Sequence, residues 1–267
     1  MLTIREYKQA ATLEEAWQLN QKRNQGKKNR ILGGMLWMRL SKGNVQTAID
    51  LSALGLDTIE ETETEFRIGA MVSLRQLELH AGFTTYSEGA NKEALRHIVG
   101  VQFRNLATVG GSVFGRFGFS DVLTLLLVMD SYVELYKGGI VPLADFVNMP
   151  YDRDILVRII VKKTAAHYSY KSVRISKTDF PVLTCAAALT QEGVQAAVGA
   201  RPAKAALVKD AEQLATLPMT AEKAQAFAEY AAGLLPTETN PRGSAAYRTH
   251  LIKVLTARCL TELGGKA

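Results

Sequence analysis

The sequence predicts an α+β protein in two parts, residues 1–160 and a smaller part over 161–267. Three observations carry this. Up to about residue 160, strand-like and helix-like segments are intermixed. Beyond it, several strand-like runs come first and helical ones follow. The length, 267 residues, suits one large domain or two ordinary ones, and 47% hydrophobic with 22% charged residues is enough for a real core.

The elements follow in order. "TLEEAWQLNQKR" at 12–23 reads as a helix, with Thr12 and Glu15 at capping-box spacing. Leu13, Ala16 and Trp17 line one face; Asn20 comes next on it, so the helix is expected to fray there, with Leu19 off the stripe. "RILGG" is a short strand entering a tight turn, and "QTAIDLSAL" and "EFRIGAMVS" are further strands. Ser73 opens a second helix, "LRQLELHA", and "NKEALRHIV" is a third. "NLATVGGSVFGRFGFSD" at 105–121 reads as a glycine-rich loop, and "DVLTLLLVMD" after it as a helix by its length. "SYVELYKGGIVPLADF" is a hairpin turning at Gly138-Gly139. "ILVRIIVKK" is a β-rich run at the boundary, and in the second part "AAHYSYKSVRIS" and "VLTCAAALTQEGVQAAVGA" are strands, the last turning at Gly193. From about residue 203 the pattern becomes helical, through "AEKAQAFAEYAAGLL" and "SAAYRTHLIKVLTARCLTEL".

Bulk features exclude several function classes. No apolar run reaches the ~18 residues of a membrane span, and the charged N-terminus lacks the apolar stretch of a signal peptide. Cys185 and Cys259 lie far apart in apolar surroundings, which suits two buried thiols in a reducing cytoplasm better than a metal site. Part of the net charge of +6 sits in Lys22, Arg23, Lys27, Lys28 and Arg30. That cluster has no interleaved aromatics, so it reads as a solvated face or a loop near an anionic cofactor, and no nucleic-acid partner is expected. His80, His97, His167 and His250 are scattered without metal-ligand spacing and read as surface or packing residues. Glu61, Glu63 and Glu65 look like a solvated strand edge or turn. No arrangement for nucleophilic catalysis presents itself.

Two loops share a form: "ILGGMLW" at 31–37 and "TVGGSV" at 108–113. Paired glycines allow a positive φ and let backbone N–H groups converge on an anion. Neither loop is a Walker motif or a G-x-G-x-x-G fingerprint, and each taken by itself reads first as a structural turn.

The order "ILGG", "FRIGAMVSLRQLE", "QFRNLATVGGSV…SD", "DILVRIIV", "YKSVRISKTDFPVLTCAAAL" and "RGSAAYRTHLIKVL" resembles the FAD-binding (medium) subunit of the molybdenum hydroxylases, of xanthine dehydrogenase or carbon monoxide dehydrogenase type. The resemblance spans nearly the whole chain; its most specific pieces are R-N-x-x-T-V-G-G at 104–111, Lys-Thr-Asp-Phe at 177–180 and "RGSAAYR" at 242–248. It implies a two-lobed FAD-binding domain of the vanillyl-alcohol oxidase (PCMH) type, with lobes of about 1–57 and 58–160. A C-terminal domain that packs a three- or four-stranded sheet on helices would follow over 161–267. Two loops would clasp the FAD pyrophosphate, with the flavin between the two domains: Leu32, Gly33, Gly34, Met35, Leu36 and Trp37 in one, Thr108, Gly110, Gly111 and Ser112 in the other. By the same resemblance Asp121 would bond the ribityl or ribose part, Lys171 would lie near the flavin, and Asp179 with Phe180 beside its ring.

The chain departs from the family pattern in both loops. Met35 and Leu36 stand where a hydroxyl residue and an acid are usual, so only backbone donors remain in the first loop. In the second, "FGRFGF" replaces a His-Ala-Asp-Pro-like continuation, and Arg116 suits a pyrophosphate contact, a partner contact or a solvated position. Trp37 suits either core or cofactor wall.

The function implied is electron transfer to NAD or another acceptor inside a cytoplasmic complex. A molybdopterin-binding large subunit and a [2Fe-2S] small subunit would be the partners, because this chain lacks the cysteines for a cluster. The alternatives are a stand-alone FAD-dependent reductase of the same superfamily and a flavin-poor assembly or electron-routing subunit.

Overall fold

The computed structural model describes residues 1–24 and 27–266; the side chains of residues 23–27 lie outside the description, and with them Arg23 and Lys27 of the basic cluster. In chain order the elements are β1 (Leu2–Gln9), α1 (Leu13–Gln21), β2 (Arg23–Asn24), β3 (Lys27–Leu32), β4 (Gly43–Asp50), β5 (Ile59–Glu61), β6 (Glu65–Gly69), α2 (Leu74–Leu79), α3 (Ala81–Tyr86), α4 (Ala90–Leu95), α5 (Val101–Leu106), α6 (Val109–Phe114), α7 (Asp121–Leu126), β7 (Ser131–Leu135), β8 (Gly139–Pro142), α8 (Leu143–Phe146), β9 (Leu156–Lys162), β10 (Ala166–Arg174), β11 (Pro181–Thr190), β12 (Gly193–Gly199), β13 (Ala206–Lys209), α9 (Ala221–Leu234) and α10 (Ala245–Gly264).

They sort into two compact units that the chain visits alternately. The first comprises residues 1–77, 101–115 and 132–161; the second comprises 78–100, 116–131 and 162–267. The first unit holds two sheets. One has the order β1-β4-β3-β2, with β4 parallel to both β1 and β3; the other runs β5-β6-β9-β7-β8. One of its core clusters gathers Ala10, Ala16, Ile49, Leu51, Leu56, Ile155 and Val157.

The second unit is built on the antiparallel sheet β10-β11-β12-β13. Helix α10, with α9 packed against it, covers one face of it and α4 with α7 the other. This double cover explains "PVLTCAAAL". A strand with one wet face alternates, whereas one sandwiched between helices is apolar throughout, and all of β11 except Thr190 is buried.

Local signals set the helix starts. Thr12 accepts from the Glu15 N–H at 3.1 Å while the Glu15 carboxylate accepts from the Ala11 N–H at 2.8 Å. Ser73 and Gln76 exchange the equivalent pair of bonds ahead of α2. Other expectations are corrected. Helix α1 does not fray at Asn20: that side chain is buried and donates to the Arg153 carbonyl at 2.7 Å. The helix expected after Ser73 is α2, and a further helix that was not expected, α3, follows it, because His80 caps it through Nδ1, which accepts from the Phe83 N–H. The stretch 105–121 is not one loop but carries α6. Strand β1 was not expected, and 206–209 forms β13 before any helix begins at Ala221.

Candidate cofactor site

The first glycine loop leaves β3 at the buried Leu32 and passes through Gly33–Trp37 into a 3-10 turn, Met38–Leu40. Neither glycine has a positive φ; the left-handed residue is Met35, at φ 58°. What the glycines supply is room. A Cβ on Gly34 would stand 1.8 Å from the Leu106 carbonyl oxygen, and one on Gly33 would stand 2.8 Å from Thr108 Oγ1. The first loop therefore lies directly on the second. Met35 packs against Leu32, Val45 and Ala48, and Leu36 is buried. Trp37 is not core: it is 39% exposed and meets Phe103 edge-on, with ring centroids 6.4 Å apart.

The second loop is the first turn of α6, with Thr108 as its N-cap. Its amides are spent inside the protein. Val109 N–H donates to the Val72 carbonyl at 2.8 Å and Gly110 N–H to the Ala70 carbonyl at 2.9 Å. Gly111 N–H donates to Thr108 Oγ1 and Ser112 N–H to the Thr108 carbonyl, both at 3.1 Å. The Ser112 hydroxyl donates to that same carbonyl at 3.0 Å. The expectation that Gly110 and Gly111 present amides to an anion is thus corrected. Gly110 is required because a Cβ there would sit 2.5 Å from the Ala70 carbonyl oxygen. Among the described residues, the backbone N–H groups of Gly33, Gly34, Met35, Leu36 and Thr108 donate to no protein acceptor. They form a donor set of the kind a diphosphate takes up.

The remaining predicted site residues belong to the second unit. Asp121 opens α7 behind its cap Ser120 and is buried. Asp121 Oδ1 accepts from the Tyr170 hydroxyl at 2.6 Å and from Arg174 Nη2. Burial pushes the Asp121 carboxyl up, against the Arg174 charge and the Tyr170 hydrogen bond. Burial, with Asp121 next to it, holds the Tyr170 phenol well above its ordinary value. Arg174 reaches onward: Nη1 donates to the Asp179 carbonyl at 2.6 Å. Phe180 meets Phe119 edge-on at 4.6 Å, and the Arg242 guanidinium lies 4.7 Å over its ring. Arg174 thereby gathers Asp121, Asp179 and Phe180 into one cluster.

Lys171 does not join them. Successive residues of a strand point to opposite faces, and Lys171 follows Tyr170. Its Nζ donates to Glu262 of α10 at 2.6 Å, on the face away from α7. Burial is the largest influence and works against the Lys171 charge, but the bond to Glu262 and the negative charges nearby together outweigh it, so the net displacement is upward. Arg116 is buried with φ 45°, which removes the solvated reading. Sequence reasoning missed Tyr170, Arg174, Arg242 and Phe119. All four lie in or beside quoted motifs, but nothing in the linear order says which of them meet.

Comparison with known proteins places this geometry. The family described as "FAD binding domain in molybdopterin dehydrogenase" matches residues 3–163, and the "CO dehydrogenase flavoprotein C-terminal domain" matches 168–263. The chain belongs to the FAD-binding subunits of the molybdenum hydroxylase family. It is 30% identical to the uncharacterized protein YgfM of Escherichia coli K12 over 211 residues, 79% of this chain and 77% of that one. It is 28% identical to the nicotine 6-hydroxylase medium subunit of Paenarthrobacter nicotinovorans over 250 residues, covering 86% and 85%. In fold it resembles a chain of the Hydrogenophaga pseudoflava carbon monoxide dehydrogenase, with TM-score 0.86, 21% identity and 98% of each chain covered. It also resembles a chain of the quinoline 2-oxidoreductase of Pseudomonas putida 86, with TM-score 0.81, 21% identity and 98% and 97% covered. Family membership makes the protein an oxidoreductase subunit with FAD as its cofactor, and the unpaired amides of the first loop fit that group. Among the described residues no helix is long and apolar enough to cross a membrane, and no three His, Cys, Asp or Glu side chains are grouped to hold a metal.

Proposed function

We propose that this chain is the FAD-carrying electron-transfer subunit of a multi-subunit molybdenum hydroxylase. The observation that carries the reading is the five unpaired backbone donors at Gly33–Leu36 and Thr108, gathered in a chain matched by both family domains in order. In this reading these donors hold the FAD diphosphate, Leu32 and Trp37 border them, and Gly110, Gly111 and Ser112 form the packed floor. Asp121, Asp179 and Phe180 contribute as the second unit's cluster, and Lys171 acts from the other face of its sheet. Bound FAD supplies a two-electron store that takes electrons singly and releases them singly or as hydride. The partners proposed are a molybdopterin-binding large subunit and a small subunit with [2Fe-2S] clusters; the acceptor is NAD⁺ or another oxidant. The complex is assigned to the cytoplasm, in keeping with two free thiols at Cys185 and Cys259.

The second reading is a flavin-poor subunit retained for assembly or electron routing. The internally satisfied amides of α6 favour it. The test is flavin analysis of the purified native complex, with NAD⁺ reduction measured in the same sample. The proposal expects one FAD per chain and co-purification with two further subunits. A colourless chain that cannot be reconstituted would leave the flavin-poor reading, and purification alone with full activity would leave a stand-alone reductase.

A further inference from the structure

We propose that Arg242 and Arg174 are positioning residues that hold Asp179 and Phe180 in place for the cofactor. This rests on the reading above that Asp179 and Phe180 belong to the FAD site. The connection from β10 to β11 looks loose: Ile175 is 66% exposed, and Ser176, Lys177 and Thr178 are exposed too. Yet Thr178 holds φ 73°, a left-handed conformation that is strained for a β-branched side chain. Such strain persists only where surrounding contacts over-determine it. Those contacts are on the next two residues. Arg174 Nη1 fixes the Asp179 carbonyl at 2.6 Å, and its Nη2 is itself fixed by the buried Asp121. Arg242 stands 3.8 Å from the Asp179 carboxylate and 4.7 Å over the Phe180 ring. A guanidinium over a ring face and beside a carboxylate restrains both the ring plane and the carboxylate direction. These contacts fix one ring and one carboxylate in set directions at the end of an otherwise exposed connection, which is what presenting both to a bound group requires.

The test uses the full chain with and without FAD. Arg242 is 38% exposed at its side chain, so Arg242→Met is expected to fold. Arg242→Lys keeps a cation over the ring. A double variant, Arg174→Gln with Asp121→Asn, removes the buried pair without stranding one charge. Trypsin cleavage after the exposed Lys177 reports the restraint without FAD, and visible circular dichroism reports the environment of bound flavin. We expect Arg242→Met and the double variant to be cut several-fold faster at Lys177 and to alter the flavin dichroism, with Arg242→Lys close to wild type in both. Unchanged cleavage and dichroism in Arg242→Met would overturn the inference. Faster cleavage with unaltered dichroism at full FAD occupancy would overturn it as well, leaving the arginines a purely structural role. Failure of the wild-type chain to take up FAD would overturn the cofactor role, while cleavage would still decide whether the clamp exists.

Discussion

At the scale of single residues, the tightest demand in the first unit falls on Gly34. A methyl group there would occupy the space of the Leu106 carbonyl, and neither backbone gives way without moving the loop. Gly34→Ala is expected to cost about 1–3 kcal/mol, the range for forced overpacking. It should also abolish FAD retention, because the displaced amides are the unpaired donors; urea denaturation and flavin stoichiometry check the two effects separately. Glu14 makes a different prediction. Its carboxylate accepts from Lys137, Tyr136 and Gln18, and these hydrogen bonds bring it from 4.5 down to about 2. A lowered folded pKa stabilises the fold above the ordinary value, and that contribution is lost as pH falls from about 4.5 toward about 2. Glu14→Gln should therefore flatten the acid limb of stability over that window and leave its slope above it unchanged, as read by thermal melts across pH.

At the scale of elements, the start of α10 depends on one buried side chain. Arg248 is 1% exposed and, among the described residues, has no carboxylate partner. It donates to the carbonyls of Val182, Glu238 and Gly243 and to Asn240 Oδ1. It thereby ties the loop before α10 to β11. Arg248→Met is expected to cost on the order of 3 kcal/mol, since four hydrogen bonds of one charged group are lost together, one of them to the buried Val182 carbonyl. Chemical denaturation measures it, and the flavin spectrum of the folded fraction should stay unchanged. The motif "RGSAAYR" thus divides: Arg248 is structural, while Arg242 reaches Phe180. Much at this scale was legible in the sequence. The Thr12–Glu15 spacing foretold a cap, and the two long C-terminal helices stand where their periodicity puts them. Strand β13 was not legible, because "ALVK" is four residues whose strand character comes from pairing with β12.

At the scale of the whole molecule, the chain interleaves its two units. Helices α3, α4 and α7 come from the first 160 residues yet belong to the unit built on β10–β13. A fragment of residues 1–160 would strip Val122, Leu123, Leu125 and Leu126 of the sheet they are buried against. Such a fragment is expected to bind a hydrophobic dye and to lack a cooperative melt, whereas the full chain melts cooperatively; calorimetry on both decides it.

What the sequence by itself determined is the succession of elements, the family they belong to and the cofactor that family carries. The elements rest on periodicity and capping spacing written within a few residues of one another, and the family and its cofactor on a resemblance in motif order along nearly the whole chain. What only the tertiary structure decided is the use each candidate residue is put to. Gly34 is needed for the approach of Leu106, Gly110 for that of Ala70, and neither for a positive φ. The amides of Val109, Gly110, Gly111 and Ser112 in the second loop are taken by Val72, Ala70 and Thr108, so apart from the Thr108 N–H the free donors lie in the first. Lys171 and Asp121 fall on opposite sides of one sheet. A hydrogen-bonding group is committed by whichever partner the fold brings within about 3 Å, and most of those partners are remote in the chain.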